Sequence, residues 1–399
     1  MTEKVTKEHS STFDKFIERY LNGNMSALVG AGLSMNVSKH FLSWKKLMRD
    51  AVVFLYKDRI ELHCENYCHI HPEISPEEAR ESFIDTVLDT EDLLQIASDY
   101  IKKKGYREAI DYYIECKIPF LKTADDGTIE VRNAEGVQDT ISENALSIHK
   151  TLLQCKNFQN LYTTNYDNAL ETASEKLSKE DPSISYNVVT SGKELSGNLT
   201  KNIVKIHGSL PEKTEESGGD YIFDEDRHLR YIIAKEDYAS YLQKHEAFSY
   251  LMRIAMLQGT FCLIGFSGSD PNYMEWVKWM SDILNSESND KIFLLDIDGV
   301  ELEPSMRSFY KNHHIAVINL WSKDILDRIL ENHFNKIIND EDNKQNGIAI
   351  RSIDSLLLKK EEYDTLKKQK NEDGYYSKLI TIINDYKRII HKNIALIHK

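Results

Sequence analysis

Residues 26–34 read SALVGAGLS. The first five form a short apolar run of β-forming residues, which is typical of a strand buried on both faces of a parallel sheet. The run passes directly into Gly30 and Gly32, which permit a close backbone approach, and a helix that begins there supplies free N–H groups. This order of strand, glycine loop and helix indicates a phosphate site, and a plain tight turn is the alternative for the motif taken alone.

The glycine loop differs from the best-known phosphate-binding loops. Its spacing is Gly-x-Gly-x-Ser, not Gly-x-Gly-x-x-Gly, and no second strand with a ribose-binding acid follows about 20 residues later. A P-loop is excluded because the chain contains no Gly-x-x-x-x-Gly-Lys-Ser/Thr motif. The loop alone is therefore weak evidence for a phosphate site. The residues at the ends of the other predicted strands are needed to distinguish such a site from a tight turn.

Five further apolar runs of four to six residues alternate with stretches of helical spacing, one of them at 238–257. Runs of this kind predict strands that are buried on both faces. The alternation predicts an α/β fold with a Rossmann-like, doubly wound parallel sheet. The predicted strands cover residues 26–30, 160–163, 203–206, 260–265, 292–296 and 315–320.

Two segments do not fit the simple alternation. Residues 54–142 are predicted to form a helical insertion that caps one end of the sheet, with a polar hairpin or mobile loop at 122–139. Residues 321–399 are predicted to form a helical C-terminal tail, in which apolar residues from 375 to 390 fall at helical spacing. We therefore expect a main domain over residues 1–320 and a helical extension after it.

Composition narrows the functional classes. With 41% hydrophobic and 29% charged residues, the 399-residue chain has the make-up of a globular protein. A net charge of −14 disfavours broad binding to nucleic acid, so we expect any such contact to be indirect. Five cysteines and a polar N-terminus predict a cytoplasmic protein without a disulfide framework. No apolar run approaches the roughly 18 residues of a membrane helix.

Three polar segments follow predicted strands: TTNYD at 163–167, HGS at 207–209 and GFSGSDP at 265–271. Each has a simple structural explanation when taken alone, namely a helix N-cap, a satisfied buried histidine or a loop. The carboxyl ends of parallel strands, however, meet at one crevice of an open α/β sheet. Together with the glycine loop, the three segments therefore predict a ligand site at that edge.

These four motifs, in this order, resemble those of the sirtuin-like superfamily over about residues 22–320. The resemblance implies that NAD binds at the crevice. It implies that Asn165 and Asp167 orient the nicotinamide ribose and carboxamide, and that His207 is the catalytic histidine beside that ribose. The implied NAD-binding residues are Gly30, Ala31, Gly32 and Ser34 in the first loop, Thr164 and Tyr166 in the second, Gly265, Ser267 and Ser269 in the fourth, and, by a loose match, Asp298.

The chain also departs from the deacylating sirtuins. Residues 36–46 (NVSKHFLSWKK) lack their Ile-Pro-Asp-Phe-Arg segment, and the two Cys-x-x-Cys pairs of their zinc module are missing. The donors of residues 63–71 (HCENYCHIH) have an unusual spacing and no second half, so we expect no metal. The resemblance is then to zinc-less bacterial antiphage proteins that hydrolyse NAD, with water as the acceptor.

The chemistry of NAD hydrolysis assigns roles to three residues. Breaking the nicotinamide bond leaves an oxocarbenium-like ribose, which must be stabilised while water is positioned. Asn165 is expected to position water or ribose, His207 to accept a proton through a ribose hydroxyl, and Asp167 to hold nicotinamide. The alternatives are a deacylase or ADP-ribosyltransferase, and a non-catalytic sensor of NAD or ADP-ribose.

A constitutive NAD hydrolase would poison its host, so we expect some restraint on the activity. The apolar stripe at 375–390 packs either on the main domain or against a subunit or partner. The stripe, the insertion at 54–142 and the need for restraint lead us to expect a homo-oligomer whose assembly, with a separate protein, controls the activity. The resemblance suggests a HerA-type ATPase as that protein.

Overall fold

The computed structural model describes residues 2–124, 126–134, 136–155, 157–195, 201–210, 231–266, 270–284, 291–296 and 304–319. The chain divides into two compact units, Thr12–Ile318 and a unit made of Met1–Ser11 with Asn319–Lys399. The candidate site belongs to the first unit. The predicted tail at 321–399 lies outside the described residues, as do Ser267, Ser269 and Asp298.

Ten strands are described. Seven of them form one sheet and three form a second, smaller sheet. In chain order they are β1 (Met25–Val29), β2 (Phe120–Thr123), β3 (Ile129–Asn133), β4 (Gly136–Ile141), β5 (Phe158–Thr163), β6 (Tyr186–Val189), β7 (Lys201–Lys205), β8 (Thr260–Ile264), β9 (Ile292–Asp296) and β10 (Ile315–Asn319).

The described helices surround these strands, and two short 3-10 helices, Glu143–Leu146 and Gly192–Leu195, accompany them. No helix among the described residues is long and apolar enough to cross a membrane. The α-helices are α1 (Thr2–Leu21), α2 (Ala31–Ser34), α3 (Trp44–Leu47), α4 (Arg49–Leu55), α5 (Lys57–Ile70), α6 (Pro76–Thr90), α7 (Leu93–Lys104), α8 (Glu108–Lys117), α9 (Ser147–Leu153), α10 (Ala169–Glu180), α11 (Lys235–Lys244), α12 (Glu246–Gln258), α13 (Pro271–Leu284) and α14 (Pro304–Asn312).

The large sheet has the strand order β10-β9-β8-β1-β5-β7-β6, and every pair whose register is described is parallel. The chain leaves β1 for β5 on one side and later returns to β8 on the other side. Strand β1 therefore lies at the topological switch point, where open α/β sheets bind ligands outside the carboxyl ends of their strands. The predicted Rossmann-like, doubly wound fold is confirmed.

The centre of the sheet is its most deeply buried part. All five residues of β1 are buried, and Leu28 is in register with Tyr162 on one side and Leu263 on the other. These residues belong to a large apolar cluster that also contains Trp276 of α13. Burial of β1 on both faces explains its unbroken apolar run and fixes the position of the loop that follows it.

The insertion predicted at 54–142 contains more than helices. Helices α4 to α8 pack around a second apolar cluster that includes Val52, Ile84 and Ile110. The hairpin predicted in the polar segment is confirmed as β3 and β4, and β2 extends it to the three-stranded antiparallel sheet β2-β3-β4. Ile129 and Val131 of β3 alternate with more exposed residues, so this small sheet has one buried face.

Two further details differ from the predicted elements. The helix expected at 238–257 is broken into α11 and α12 at His245, whose φ of −121° and ψ of 39° are not helical. Strand β6 was not predicted from the sequence. It has only four residues, and its burial pattern is mixed because it lies at the edge of the sheet.

Candidate functional site at the carboxyl edge of the sheet

The loop after β1 and the loop after β8 are joined through their backbones. The Gly30 N–H donates to Ile264 O at 3.0 Å, and the Gly32 N–H donates to Gly265 O at 3.0 Å. Helix α2 begins at this junction, with Gly30 as its extended N-cap. The two glycine-containing loops therefore form one rigid wall of the crevice.

Close packing between the loops explains why glycine occupies three of these positions. A Cβ atom on Gly30 would lie 2.4 Å from Gly265 O, and one on Gly32 would lie 2.9 Å from the same oxygen. Gly265 has a φ of +58°, and a Cβ there would lie 2.4 Å from the Leu33 nitrogen. The glycines therefore allow the backbones of the two loops to approach each other. From the sequence alone, the same glycines were explained by the close approach of a ligand's phosphates.

Asn165 is buried beside this wall and bonds to it directly. Its Nδ2 donates to Gly30 O at 3.0 Å and to Ser34 Oγ at 3.1 Å. Its own N–H donates to Thr163 Oγ1 at 3.0 Å, while Thr163 Oγ1 donates to Val29 O at 2.9 Å. The side chain is thus held in one orientation by Gly30, the N-cap of α2, and by Ser34, the last residue of α2.

Asp167 continues the same network. Its Oδ1 accepts from Ser34 Oγ at 3.1 Å and from the Ala169 N–H at 3.0 Å, at the start of α10. Burial raises the pKa of Asp167, while the charge of Lys205 and the Ala169 N–H act in the opposite direction. The predicted residues Ser34, Asn165 and Asp167 therefore form one buried polar cluster.

Lys205 is a buried cation beneath this cluster. Its ammonium group donates to Asp167 O and forms an ion pair with Glu171 Oε1 at 2.8 Å. The Lys205 side chain is only 1% exposed, so the pair with Glu171 is what makes burial of the charge tolerable. The loop that carries Asn165 and Asp167 is therefore bound to both β7 and α10.

His207 follows β7 and leaves the sheet beside the Asn165 loop, since the Ile206 N–H donates to Thr163 O at 3.0 Å. The His207 side chain is buried, with the ring edge-on to Tyr238 at 5.5 Å between centroids. Burial lowers the pKa of His207, and the charges of Asp270 and Asp237 partly offset this effect. The imidazole is therefore neutral near pH 7 and able to accept a proton.

Three residues that were given no role from the sequence surround the imidazole, and one of them, Asp270, lies within the predicted segment 265–271. Asp270 Oδ2 lies 3.6 Å from His207 Nε2, and Asn272 Nδ2 lies 3.5 Å from the same nitrogen. Tyr238 donates its hydroxyl to Asp270 Oδ2 at 2.9 Å. In the sequence, Asp270 before a proline indicates only the start of a helix. Nothing in that pattern predicts its contact with a histidine 63 residues earlier.

The structure places the other predicted residues differently. Thr164 lies at the end of β5, with its N–H donating to Val29 O at 3.3 Å. The hydroxyl of Tyr166 donates to Ile232 O at 2.7 Å, so it holds the segment before α11. Ala31 is the first residue of α2. Ser267, Ser269 and Asp298 lie outside the described residues.

The histidines and cysteines at 63–71 lie mostly on α5. Cys64 Sγ donates to Pro76 O at 3.6 Å, and His63 stacks on Tyr67 at 5.2 Å. Within the described part of the chain, no group of three or more His, Cys, Asp or Glu side chains could hold a metal ion.

A switch-point crevice lined by glycine loops and buried polar side chains is the place where α/β proteins with open parallel sheets bind ligands. Residues 159–318 match the family model of the SIR2-like domain. This match confirms the sirtuin-like resemblance over these residues. SIR2-like domains use NAD, and the amide, carboxyl and imidazole groups of Asn165, Asp167 and His207 suit a ligand rich in hydroxyl and amide groups.

The chain is also similar to a curated protein, Defense-associated sirtuin 2 of Bacillus subtilis. The two are 26% identical over 210 residues, which is 49% of this chain and 19% of the relative. The matched part thus spans about a fifth of the relative's length.

Proposed function

We propose that this chain hydrolyses NAD to nicotinamide and ADP-ribose and so depletes NAD in antiphage defence. The observation that carries the proposal is the buried cluster of Ser34, Asn165 and Asp167 beside the buried His207 at the switch point of a SIR2-like domain. The name of the Bacillus subtilis relative, a defence-associated sirtuin, supports the biological setting.

The geometry suits the reaction in three ways. Charge develops on the ribose as the nicotinamide bond breaks, and prearranged dipoles stabilise such charge best in a site with little water. Asn165 is prearranged by two hydrogen bonds and holds its amide beside the glycine wall. His207 is the group that we assign to accept a proton, and Asp167 is the group that we assign to nicotinamide.

Incubation of the purified chain with NAD, with nicotinamide and ADP-ribose measured as products, tests the proposal. The His207→Ala variant is expected to lose about 100-fold to 10,000-fold in rate, since it removes the proposed base. The matched control is His69→Ala on the exposed surface of α5, which should keep the parental rate. An active His207→Ala variant would contradict the assignment.

The same assay separates the alternatives. Turnover that requires an acylated peptide, or ADP-ribose attached to protein, indicates a deacylase or a transferase. Binding of NAD with no nicotinamide released indicates a sensor. Control by assembly, as a homo-oligomer and with a partner such as a HerA-type ATPase, belongs to the proposal and rests on the residues at 375–390, outside the described part.

A further inference from the structure

His207 has one ring nitrogen that is surrounded by protein. Nε2 lies between Asp270 Oδ2 at 3.6 Å and Asn272 Nδ2 at 3.5 Å, and all three residues are buried. The other face of the pocket is aromatic, with Tyr238 and Tyr241 edge-on to the ring. Contacts slightly longer than a hydrogen bond are common at catalytic groups before substrate is bound.

Asp270 is held firmly in place. Its Oδ1 accepts from the Tyr273 N–H at 2.9 Å, as the cap of α13, and its Oδ2 accepts from the Tyr238 hydroxyl at 2.9 Å. Its backbone carbonyl accepts from the Met274 N–H at 2.9 Å. The carboxylate is therefore fixed by α11 and α13 together, with Oδ2 also facing the imidazole.

We infer that Asp270 is a positioning residue that holds His207 in the tautomer with its proton on Nε2. An ionised carboxylate only accepts hydrogen bonds, so it favours an N–H at the nearest ring nitrogen. Asn272 has both a donor and an acceptor on its amide and can serve either tautomer. The Asp270 carboxylate therefore determines the tautomer, and in that tautomer Nδ1 is the ring nitrogen that carries the proton-accepting lone pair.

The inference rests on the proposed function, because it supplies His207 with the partner that a proton acceptor needs. A carboxylate that orients a histidine also stabilises the imidazolium formed when the ring takes a proton. The substrate proton goes to Nδ1, and the Nε2 proton remains facing Asp270. No other proton moves in this step.

The other ionisable groups that face His207 are Asp237, Tyr238 and Tyr241 of α11, and His245 between α11 and α12. Asp237 Oδ2 is already bound by Arg107 at 3.1 Å and by the Ala234 N–H at 2.9 Å. The tyrosines are neutral because burial raises the pKa of each well above its ordinary range. Asp270 is thus the nearest uncompensated negative charge.

The Asp270→Asn variant isolates this charge. Asparagine is also a good helix N-cap and can still accept from Tyr273, so α13 should remain intact. The matched control is Asp282→Asn, which removes an exposed carboxylate from the same helix. Thermal unfolding of both variants should be close to that of the parent chain, which shows that any other effect is local.

NMR of 15N-histidine-labelled full chain reports the tautomer without any need for activity. The His207 signal is assigned by its absence from a His207→Gln spectrum. We expect an Nε2–H ring in the parent and in Asp282→Asn. In Asp270→Asn we expect a mixed or Nδ1–H ring, with protonation shifted about one pH unit lower. An Nδ1–H ring in the parent, or an unchanged ring in Asp270→Asn, would overturn the inference.

NAD turnover is measured separately. Asp270→Asn should lower kcat by about 10-fold or more with little change in KM, because a group that acts through the base affects the chemical step. A parent chain that shows the Nε2–H tautomer but releases no nicotinamide would refute the proposed function and leave the Asp270–His207 pairing standing. An active parent with an unchanged Asp270→Asn rate would refute the role of Asp270 alone.

Discussion

The two sides of the crevice are built in different ways. The amide side, made of Ser34, Asn165 and Asp167, is connected by hydrogen bonds of 3.0–3.1 Å. The histidine side is made of His207, Asp270, Asn272 and Tyr238. Its polar contacts to the imidazole, from Asn272 and Asp270, are longer, at 3.5 and 3.6 Å. The amide side is therefore set by hydrogen bonds before any ligand arrives, whereas the imidazole is governed by burial and charge.

The difference follows from the elements that each side joins. The amide side bridges adjacent strands, β1 and β5, and the register of the sheet fixes these strands to one another. The histidine side bridges β7 to the starts of α11 and α13, which the sheet register does not fix. Removing a hydrogen-bonded group should therefore harm the amide side most, and removing a charge should harm the histidine side most.

The Asn165→Ala variant should produce the largest effect on activity. It removes the donor to Gly30 O and to Ser34 Oγ and, by the proposed mechanism, the group that positions water or ribose. We expect NAD turnover to fall by about 100-fold or more, the size seen when one prearranged dipole is removed. NAD binding, measured by calorimetry, should change much less.

Asn187→Ala is the matched control for that variant, because Asn187 is half-buried on the edge strand β6 and lies outside the amide side. It should keep the parental turnover. If Asn165→Ala and Asn187→Ala have the same rate, the amide side has no role in the chemistry and the comparison of the two sides loses its functional meaning.

Gly30→Ala should produce a smaller effect that begins in the fold. The new Cβ would lie 2.4 Å from Gly265 O, so the two glycine loops must separate. Strain of this kind typically costs about 1–3 kcal/mol, and chemical denaturation should show a loss of that size. Turnover should fall as well, because Asn165 is bonded to Gly30 O.

The control for Gly30→Ala is Gly192→Ala, since the nearest atom to a Cβ there is the Ala247 Cβ at 3.4 Å. This control should unfold within about 0.5 kcal/mol of the parent chain, as ordinary surface substitutions do. Equal stability of the two variants would mean that the loops yield easily and do not form a rigid wall.

The same contrast explains which features could be predicted from the sequence. The apolar runs at 26–30 and 260–265 predicted buried parallel strands, because burial on both faces excludes polar residues. The convergence of the strand ends followed from topology. The hairpin of β3 and β4 was predicted, whereas the four-residue strands β2 and β6 were missed, since short strands with mixed burial give a weak periodic signal.

The contacts within the site were harder to predict. The roles of Asn165 and His207 come only from a family resemblance, whereas the contact of Asp270 with His207 depends on how α13 packs on α11. The glycines are consistent both with a phosphate site and with close packing between two loops. The packing of Gly30 against Gly265 could not be predicted from the sequence, because the two residues are 235 positions apart. Predictions for Ser267, Ser269 and Asp298 stay predictions.

A second buried histidine shows what burial does without a charge partner. His149 of α9 is 1% exposed, and neither of its ring nitrogens has a hydrogen-bond partner. Burial lowers its pKa to about 4. His207, by contrast, has two carboxylates that oppose the same effect of burial. His149 therefore provides an internal reference for the histidine side.

The His149 pKa predicts a pH dependence of stability. In the unfolded chain this histidine takes up a proton near pH 6.5, whereas in the folded chain it stays neutral down to about pH 4. The free energy of unfolding should therefore fall as the pH drops from 6.5 towards 4, by at most about 1.4 kcal/mol per pH unit for this one group. Above pH 6.5 His149 contributes no slope.

In the His149→Leu variant, urea unfolding at several pH values should show a shallower decline in stability than in the parent. The remaining slope is due to groups such as His245, whose pKa burial also lowers to about 4. Parallel curves for the two proteins would mean that His149 gains a partner or water in solution, and it could then no longer serve as the uncharged reference for His207.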